Sequence, residues 1–281
     1  MTDLAIATSG PCAGKTRLLH DLRVCGGWAL TTYERCEFRC VYCITGAQGE
    51  STPIVPPLTL PRQLRRELAQ VAPGEQVMVG TICDAYPTVE EHHRVTRAAL
   101  EVLVNEGRDF LVVTKGTLVV RDRDLFASQR ARVTVSLCSV NEQAIKHVDP
   151  RAPSAAERLA SIHALVAFGV NVSVSAAPWI PGVSDVSALL ARLPPGVPVC
   201  VAPLNVTSPE VAAMPFARRF SQREINEAYL DEFGRLASRP FVTWLRPVRV
   251  DDAGPEFHPF STLSRHRKTS TCTRLQPSSR R

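Results

Sequence analysis

Between Arg35 and Cys43 the chain reads RCEFRCVYC, which places Cys36, Cys40 and Cys43 in the spacing C-x3-C-x2-C. Thiolates are soft ligands suited to zinc and to iron–sulfur clusters. Structural zinc takes four ligands, commonly from two Cys-x2-Cys pairs, and neither a second such pair nor a histidine pair stands at a suitable distance here. A cubane cluster has four irons to ligate, so three cysteines leave one iron open to an outside ligand. The chain carries nine cysteines in 281 residues, an odd number and too sparse for a disulfide scaffold. In a reducing compartment the clustered ones read as metal ligands or redox groups.

The elements that must position this loop read as an alternation of helices and strands. Thr59 to Val71 has helical spacing, with Leu60, Leu64 and Leu68 on one face, and Gln76 to Ile82 is a short apolar strand. A long amphipathic helix is expected over Thr88 to Glu106, with Val95, Ala98, Ala99, Val102 and Leu103 inward, before the strand Asp109 to Thr114. Helices around Arg121 to Gln129, Ala155 to Phe168 and Ser184 to Leu193 precede strands at Arg132 to Leu137, Val170 to Ala176 and Val197 to Val201. Apolar strands separated by helices predict a parallel sheet with right-handed crossovers, hence an α/β barrel, full or partial. Ser51 to Pro61 and Pro203 to Phe216 read as loops, the latter leading to a helix over Gln222 to Ala237.

With these elements in place, the sequence resembles a family. C-x3-C-x2-C with Tyr42 before the last cysteine is similar to the signature of radical S-adenosylmethionine (radical SAM) enzymes. The resemblance extends to WALTTY from Trp28, GTICDAYP from Gly80, VTK ending at Lys115, Val135-Ser136, DPRAP from Asp149 with Arg158, and PWIPG from Pro178 with Asp185. In that order these segments are similar to the spore photoproduct lyase-like branch, over roughly residues 28–205. Arg35 stands where relatives often have glycine, and Ile44 where many have tyrosine.

The resemblance implies a partial (β/α)6-type barrel of the radical SAM kind. It also implies a [4Fe–4S] cluster on Cys36, Cys40 and Cys43, whose open iron chelates S-adenosylmethionine, and reductive cleavage to a 5′-deoxyadenosyl radical that abstracts hydrogen from substrate. Lys115 and Ser136, late in their strands, would face the cofactor's methionine end, and Tyr42 its adenine. An electron donor such as flavodoxin or ferredoxin is implied as partner. Asp84, Tyr86 and Glu90 follow a strand, where barrel enzymes bind cofactor or substrate, although Glu90 also suits a helix N-terminus. Counting back from Asp84, Thr81 stands where the lyase carries a hydrogen-donating cysteine. Cys83 lies two residues on, on the same side of a continuing strand, and is a candidate catalytic hydrogen donor, with a buried small hydrophobe as the plain alternative.

The expected organisation is an N-terminal extension over 1–27, the core barrel over 28–205, a helical and strand extension completing or capping the barrel over 206–260, and a basic, disordered tail over 261–281. The net charge of +6 comes from that tail, which holds Arg265, Arg267, Lys268, Arg274, Arg280 and Arg281 and no acid. A flexible basic arm can bind phosphate backbones, but this one has no aromatic residue for stacking. SGPCAGKT from Ser9 resembles a phosphate-binding loop lacking its first glycine. Cys138 and Cys200 read as core residues. Hydrophobic content of 44% without a long apolar run fits a soluble protein, and with no leader-like N-terminus a cytoplasmic location is expected. A small-molecule substrate is favoured. A nucleic-acid-acting lyase and a non-catalytic iron–sulfur or zinc protein are the alternatives.

Overall fold

Each strand of the fold pairs with the one before it in sequence, which is what short apolar segments joined by helical crossovers produce. The computed structural model describes residues 17–22, 27–43, 52–56, 58–207 and 209–247. Its eight-stranded sheet runs in the order β1 (Leu19–Leu22), β2 (Gly27–Leu30), β3 (Gln76–Val79), β4 (Asp109–Thr114), β5 (Ala131–Ser136), β6 (Val172–Trp179), β7 (Val199–Pro203) and β8 (Val242–Trp244). Only β1 is antiparallel to its neighbour; from β2 to β8 every pairing is parallel. The sheet is not closed, so the architecture is a partial α/β barrel.

The helices are α1 (Leu60–Leu68), α2 (Glu90–His93), α3 (Val95–Asn105), α4 (Glu142–Val148), α5 (Ala155–Ala167), α6 (Val186–Leu190), α7 (Pro209–Ala212) and α8 (Gln222–Leu236). Leu60, Leu64 and Leu68 of α1 are buried, as their spacing predicts. The strand interiors Val77, Val112, Val133, Val174 and Val199 join them in one apolar core. A capping box between Ser154 and Glu157 starts α5, and one between Ser221 and Glu224 starts α8.

Several expectations are corrected. The single helix expected over Thr88 to Glu106 is two, because Arg94 adopts a left-handed φ of 50° and breaks the hydrogen-bond ladder. The segment around Arg121 is a 3-10 stretch, Thr117–Phe126, rather than an α-helix. Strand β3 ends at Val79 instead of reaching Ile82: Gly80 turns the chain at φ 87°, and a Cβ there would meet the Val113 carbonyl oxygen at 2.3 Å. Helix α4 between β5 and β6 is an addition to the single crossover helix expected there, α7 lies within the connection read as a loop, and β1 and β8 extend the six-unit barrel at its edges. The loop Ser51 to Pro61 contributes Ile54, which bridges to Glu34. The basic tail, Cys272, the segment from Ser9 to Thr16, and Ile44 lie outside the described residues. Among the described residues no helix is long and apolar enough to cross a membrane.

Candidate functional site

The cysteine loop leaves the carboxyl end of β2, and the segments after β3, β4 and β5 rise beside it. This is the end of a parallel sheet where βα loops converge on ligands. Arg35 and Arg39 precede Cys36 and Cys40 with φ values of 64° and 50°. A left-handed conformation costs a residue with a Cβ about 1–2 kcal/mol, whereas glycine adopts it freely. The loop is held by backbone bonds from Cys43 N to Cys40 O (3.1 Å), from Val41 N to Val148 O (2.9 Å) and from Arg151 N to Phe38 O (3.3 Å).

Cys40 is buried, and Cys36 and Cys43 are half-buried. Burial pushes the Cys36 thiol up to about 11, with the Asp84 carboxylate adding to it and the backbone N–H groups of Asp84 and Phe38 opposing. Burial raises Cys40 further, against the pull of Lys115. The bare Cys36 and Cys40 thiols are therefore protonated at neutral pH, and loading a metal centre must release those protons. Among the described residues no three His, Cys, Asp or Glu side chains are gathered tightly enough to hold a single ion. A larger group spanning Cys36, Cys40 and Cys43, beside a lysine that offsets the charge of thiolates, suits this donor set.

That lysine is Lys115, the first residue after β4. Burial works against its ammonium, yet Cys40 and Cys43 once ionised, together with the Asp149 carboxylate, outweigh this and favour the protonated form. Its Nζ lies 5.7 Å from the centroid of the Tyr42 ring. The Tyr42 hydroxyl donates to Asp149 Oδ1 at 2.6 Å, and Asp149 Oδ2 accepts from Arg158 Nη1 at 2.8 Å. The same Nη1 reaches the carbonyl of Ser136 at 3.2 Å, at the end of β5. Burial tends to raise the Asp149 carboxyl, but Lys115, Arg158, Tyr42 and Cys40 together hold it below the usual range. Cys36, Cys40, Cys43, Tyr42, Lys115 and Ser136 are thus brought into one region.

Asp84 and Tyr86 sit beside it with their polar atoms engaged. Asp84 Oδ1 accepts from Thr114 Oγ1 (2.6 Å) and Tyr86 N (2.9 Å), and Oδ2 from Lys115 N (2.7 Å), so the carboxylate braces the backbone that carries the lysine. The Tyr86 hydroxyl donates to Asp122 Oδ2 at 3.1 Å, within a buried network. Glu90 lies deeper in that network, accepting from Tyr33 Oη (2.5 Å), Thr96 N (2.9 Å) and Arg121 Nη2 (2.6 Å), so it is a structural carboxylate and not an open pocket residue.

Cys83 is buried, and burial together with Cys36 pushes its thiol up to about 12. Strand periodicity does not place Cys83, because β3 has already ended, but the loop still sets it near Cys36 and Cys43. Cys138 and Cys200 are core residues, as expected. A cavity of about 380 Å³ opens against the loop, lined by Glu37, Phe38, Tyr86, Gly116, Arg151 and Pro153 among others. Sequence reasoning gave no role to Asp149 and Arg158. Two opposite charges in motifs nine residues apart, with a Pro-rich turn between them, were the signal.

A family model described as the radical SAM superfamily matches residues 30–191. Among curated proteins, the chain is 28% identical over 181 residues to a protein of Mycobacterium tuberculosis named "Uncharacterized protein Rv2578c", covering 59% of this chain and 53% of that one. It is 22% identical over 178 residues to "Uncharacterized protein MJ0683" of Methanocaldococcus jannaschii, covering 60% and 66%. The chain thus spans about half the length of the mycobacterial relative it matches. Among solved structures, a spore photoproduct lyase variant with bound AdoMet and dinucleoside spore photoproduct superposes with a TM-score of 0.61 at 16% identity, covering 83% of this chain and 79% of that one. Streptococcus suis SuiB bound to S-adenosylmethionine gives 0.55 at 12% identity, covering 83% and 53%. At these identities the likeness is one of fold.

Proposed function

Because this chain belongs to the radical SAM superfamily, we propose that Cys36, Cys40 and Cys43 hold a [4Fe–4S] cluster with which it cleaves S-adenosylmethionine reductively, the resulting 5′-deoxyadenosyl radical taking a hydrogen atom from substrate. The observation that carries this reading is the convergence of three cysteines and a protonated lysine at the carboxyl end of one parallel sheet. Lys115 offers an ammonium to the cofactor's carboxylate, a charge-assisted contact that orients as well as binds. Ser136 offers its hydroxyl to the cofactor's methionine end from β5. Tyr42, anchored through its hydroxyl, presents its ring to the adenine side. Asp84 and Tyr86 serve the site by fixing the backbone around Lys115 and Gly116. Cys83, near Cys36, would return a hydrogen atom to a substrate radical.

The working unit would be the barrel over 28–205, with 206–260 completing or capping it. An electron donor such as flavodoxin or ferredoxin would supply the reducing equivalent. The substrate we favour is a small molecule, since the cavity at the loop falls in the size range of small-ligand pockets. Anaerobically reconstituted protein, reduced with dithionite and given S-adenosylmethionine, should form 5′-deoxyadenosine, and Cys40→Ala should form none. A full cluster complement with no product from the parent overturns the reading in favour of a non-catalytic cluster protein.

The lyase bound to a dinucleoside photoproduct motivates a second reading, action on nucleic acid. It requires salt-sensitive DNA or RNA binding and activity that disappear when residues 261–281 are removed. Activity unaffected by that truncation, without binding, sinks it.

A further inference from the structure

Asp149 and Arg158 form an ion pair at 2.8 Å with both side chains 0% exposed. Burying such a pair costs desolvation on both partners, and apolar residues of similar volume often stabilise a fold as well or better. Its bonding points to a positional task. Every oxygen and two of the three guanidinium nitrogens are engaged, and the partners come from separate parts of the fold. Asp149 holds Tyr42 Oη at 2.6 Å, two residues from Cys40. Arg158 Nη1 holds the Ser136 carbonyl at 3.2 Å, and Nε the Pro153 carbonyl at 2.8 Å. Backbone bonds from Val41 to Val148 and from Arg151 to Phe38 close the contact on either side of Cys40.

We propose that Asp149 and Arg158 are the positioning residues of the cysteine loop, locking Cys40 and Tyr42 in register with the Ser136 end of β5. The inference rests on the proposed cluster site. The geometry gives one guanidinium two jobs: it aims the Asp149 carboxylate at the loop, and it ties that carboxylate to the strand carrying the proposed cofactor contact. Arg158 Nη2 is buried with no partner among the described residues. A buried donor left unpaired is costly, a further sign that the pair serves position and not stability.

The test uses the full chain, reduced and free of metal, alkylated with iodoacetamide over a pH series so that each rate is compared per thiolate, and read cysteine by cysteine by mass spectrometry. Cys200, buried in β7, reports global opening and Cys40 reports the loop. Asp149→Leu/Arg158→Met, which replaces the pair by apolar residues, should unfold at a temperature close to the parent's while the Cys40 to Cys200 rate ratio rises about tenfold, equivalent to about 1.4 kcal/mol of loop opening. Asp149→Asn, which keeps the shape, should raise the ratio by a smaller factor. After reconstitution, the double variant should also lose iron to a chelator faster than the parent. An unchanged ratio in folded variants overturns the proposal. So does equal acceleration of Cys40 and Cys200, which would make the pair a support of the whole fold. Alkylation needs neither cluster nor cofactor. Parent protein that forms no 5′-deoxyadenosine therefore refutes the functional reading and leaves this test standing, whereas an unchanged ratio in protein that does form it refutes only the positioning role.

Discussion

The ammonium of Lys115 stands 5.7 Å from the centre of the Tyr42 ring, so the end of β4 and the aromatic between the second and third cysteines share one face of the site. A cation over an aromatic face at this distance is held by the ring quadrupole. Lys115→Met keeps the stem and removes the charge. It should leave iron content unchanged and raise the dissociation constant for S-adenosylmethionine, measured by equilibrium dialysis. Loss of one hydrogen bond to a charged group is worth about 1.5–3 kcal/mol, or roughly 10–100-fold. Unaltered binding would exclude Lys115 from the cofactor contact.

Asp84 offers only acceptors to three donors: Thr114 Oγ1, Lys115 N and Tyr86 N. Asp84→Asn turns one acceptor into an NH2 group facing a donor. Leaving a buried group unsatisfied costs about 1–3 kcal/mol, so the thermal midpoint of the metal-free protein should fall. Cofactor affinity should fall with it, because the Lys115 backbone loses its brace.

Trp179, at the end of β6, donates Nε1 to Glu232 Oε2 at 2.6 Å, and Glu232 Oε1 accepts from Val186 N at 2.8 Å. One buried carboxylate on α8 therefore pins both a strand end and the start of α6. Trp179→Phe removes the bond and opens space, and should cost about 3 kcal/mol in denaturant unfolding. Hydrogen exchange should rise first in α8 if that helix is held chiefly by this contact.

Gly80→Ala should be severe. The residue sits at φ 87°, and the added Cβ would lie 2.3 Å from the Val113 carbonyl oxygen, a backbone atom that moves only if β4 moves. Backbone strain combined with steric conflict belongs to the largest class of single-residue effects, about 3 kcal/mol or more. A variant that expresses and melts like the parent would show that the turn after β3 is looser than the geometry implies.

Local patterns made most of the barrel readable before any coordinates. Strand β4 was legible residue for residue because DFLVVT is bounded by a charged residue at one end and Lys115-Gly116 at the other. The cysteine loop was legible from its spacing. The break at Arg94 was not, since nothing in a run of helix-forming residues announces a left-handed arginine. The early end of β3 depends on the crowding of Gly80 against Val113, a contact between neighbouring strands that periodicity along one strand does not carry. Glu90 looked like a helix-start carboxylate or a pocket group. Its burial is decided by Tyr33 and Arg121, which lie far from it in sequence.

The bond from Tyr42 to Asp149 spans 107 positions of the chain, and Arg158 lies further on. During synthesis the cysteines emerge early and wait, because the groups that hold their loop are made only after β5 and α4 have followed. On the proposed reading, a cluster would meet a fully braced loop only once α5 is complete. A nascent chain halted before Arg158 would display every thiol of the proposed cluster and lack the clamp that gives them a fixed arrangement, which makes premature metallation by adventitious ions the hazard this order of assembly must avoid.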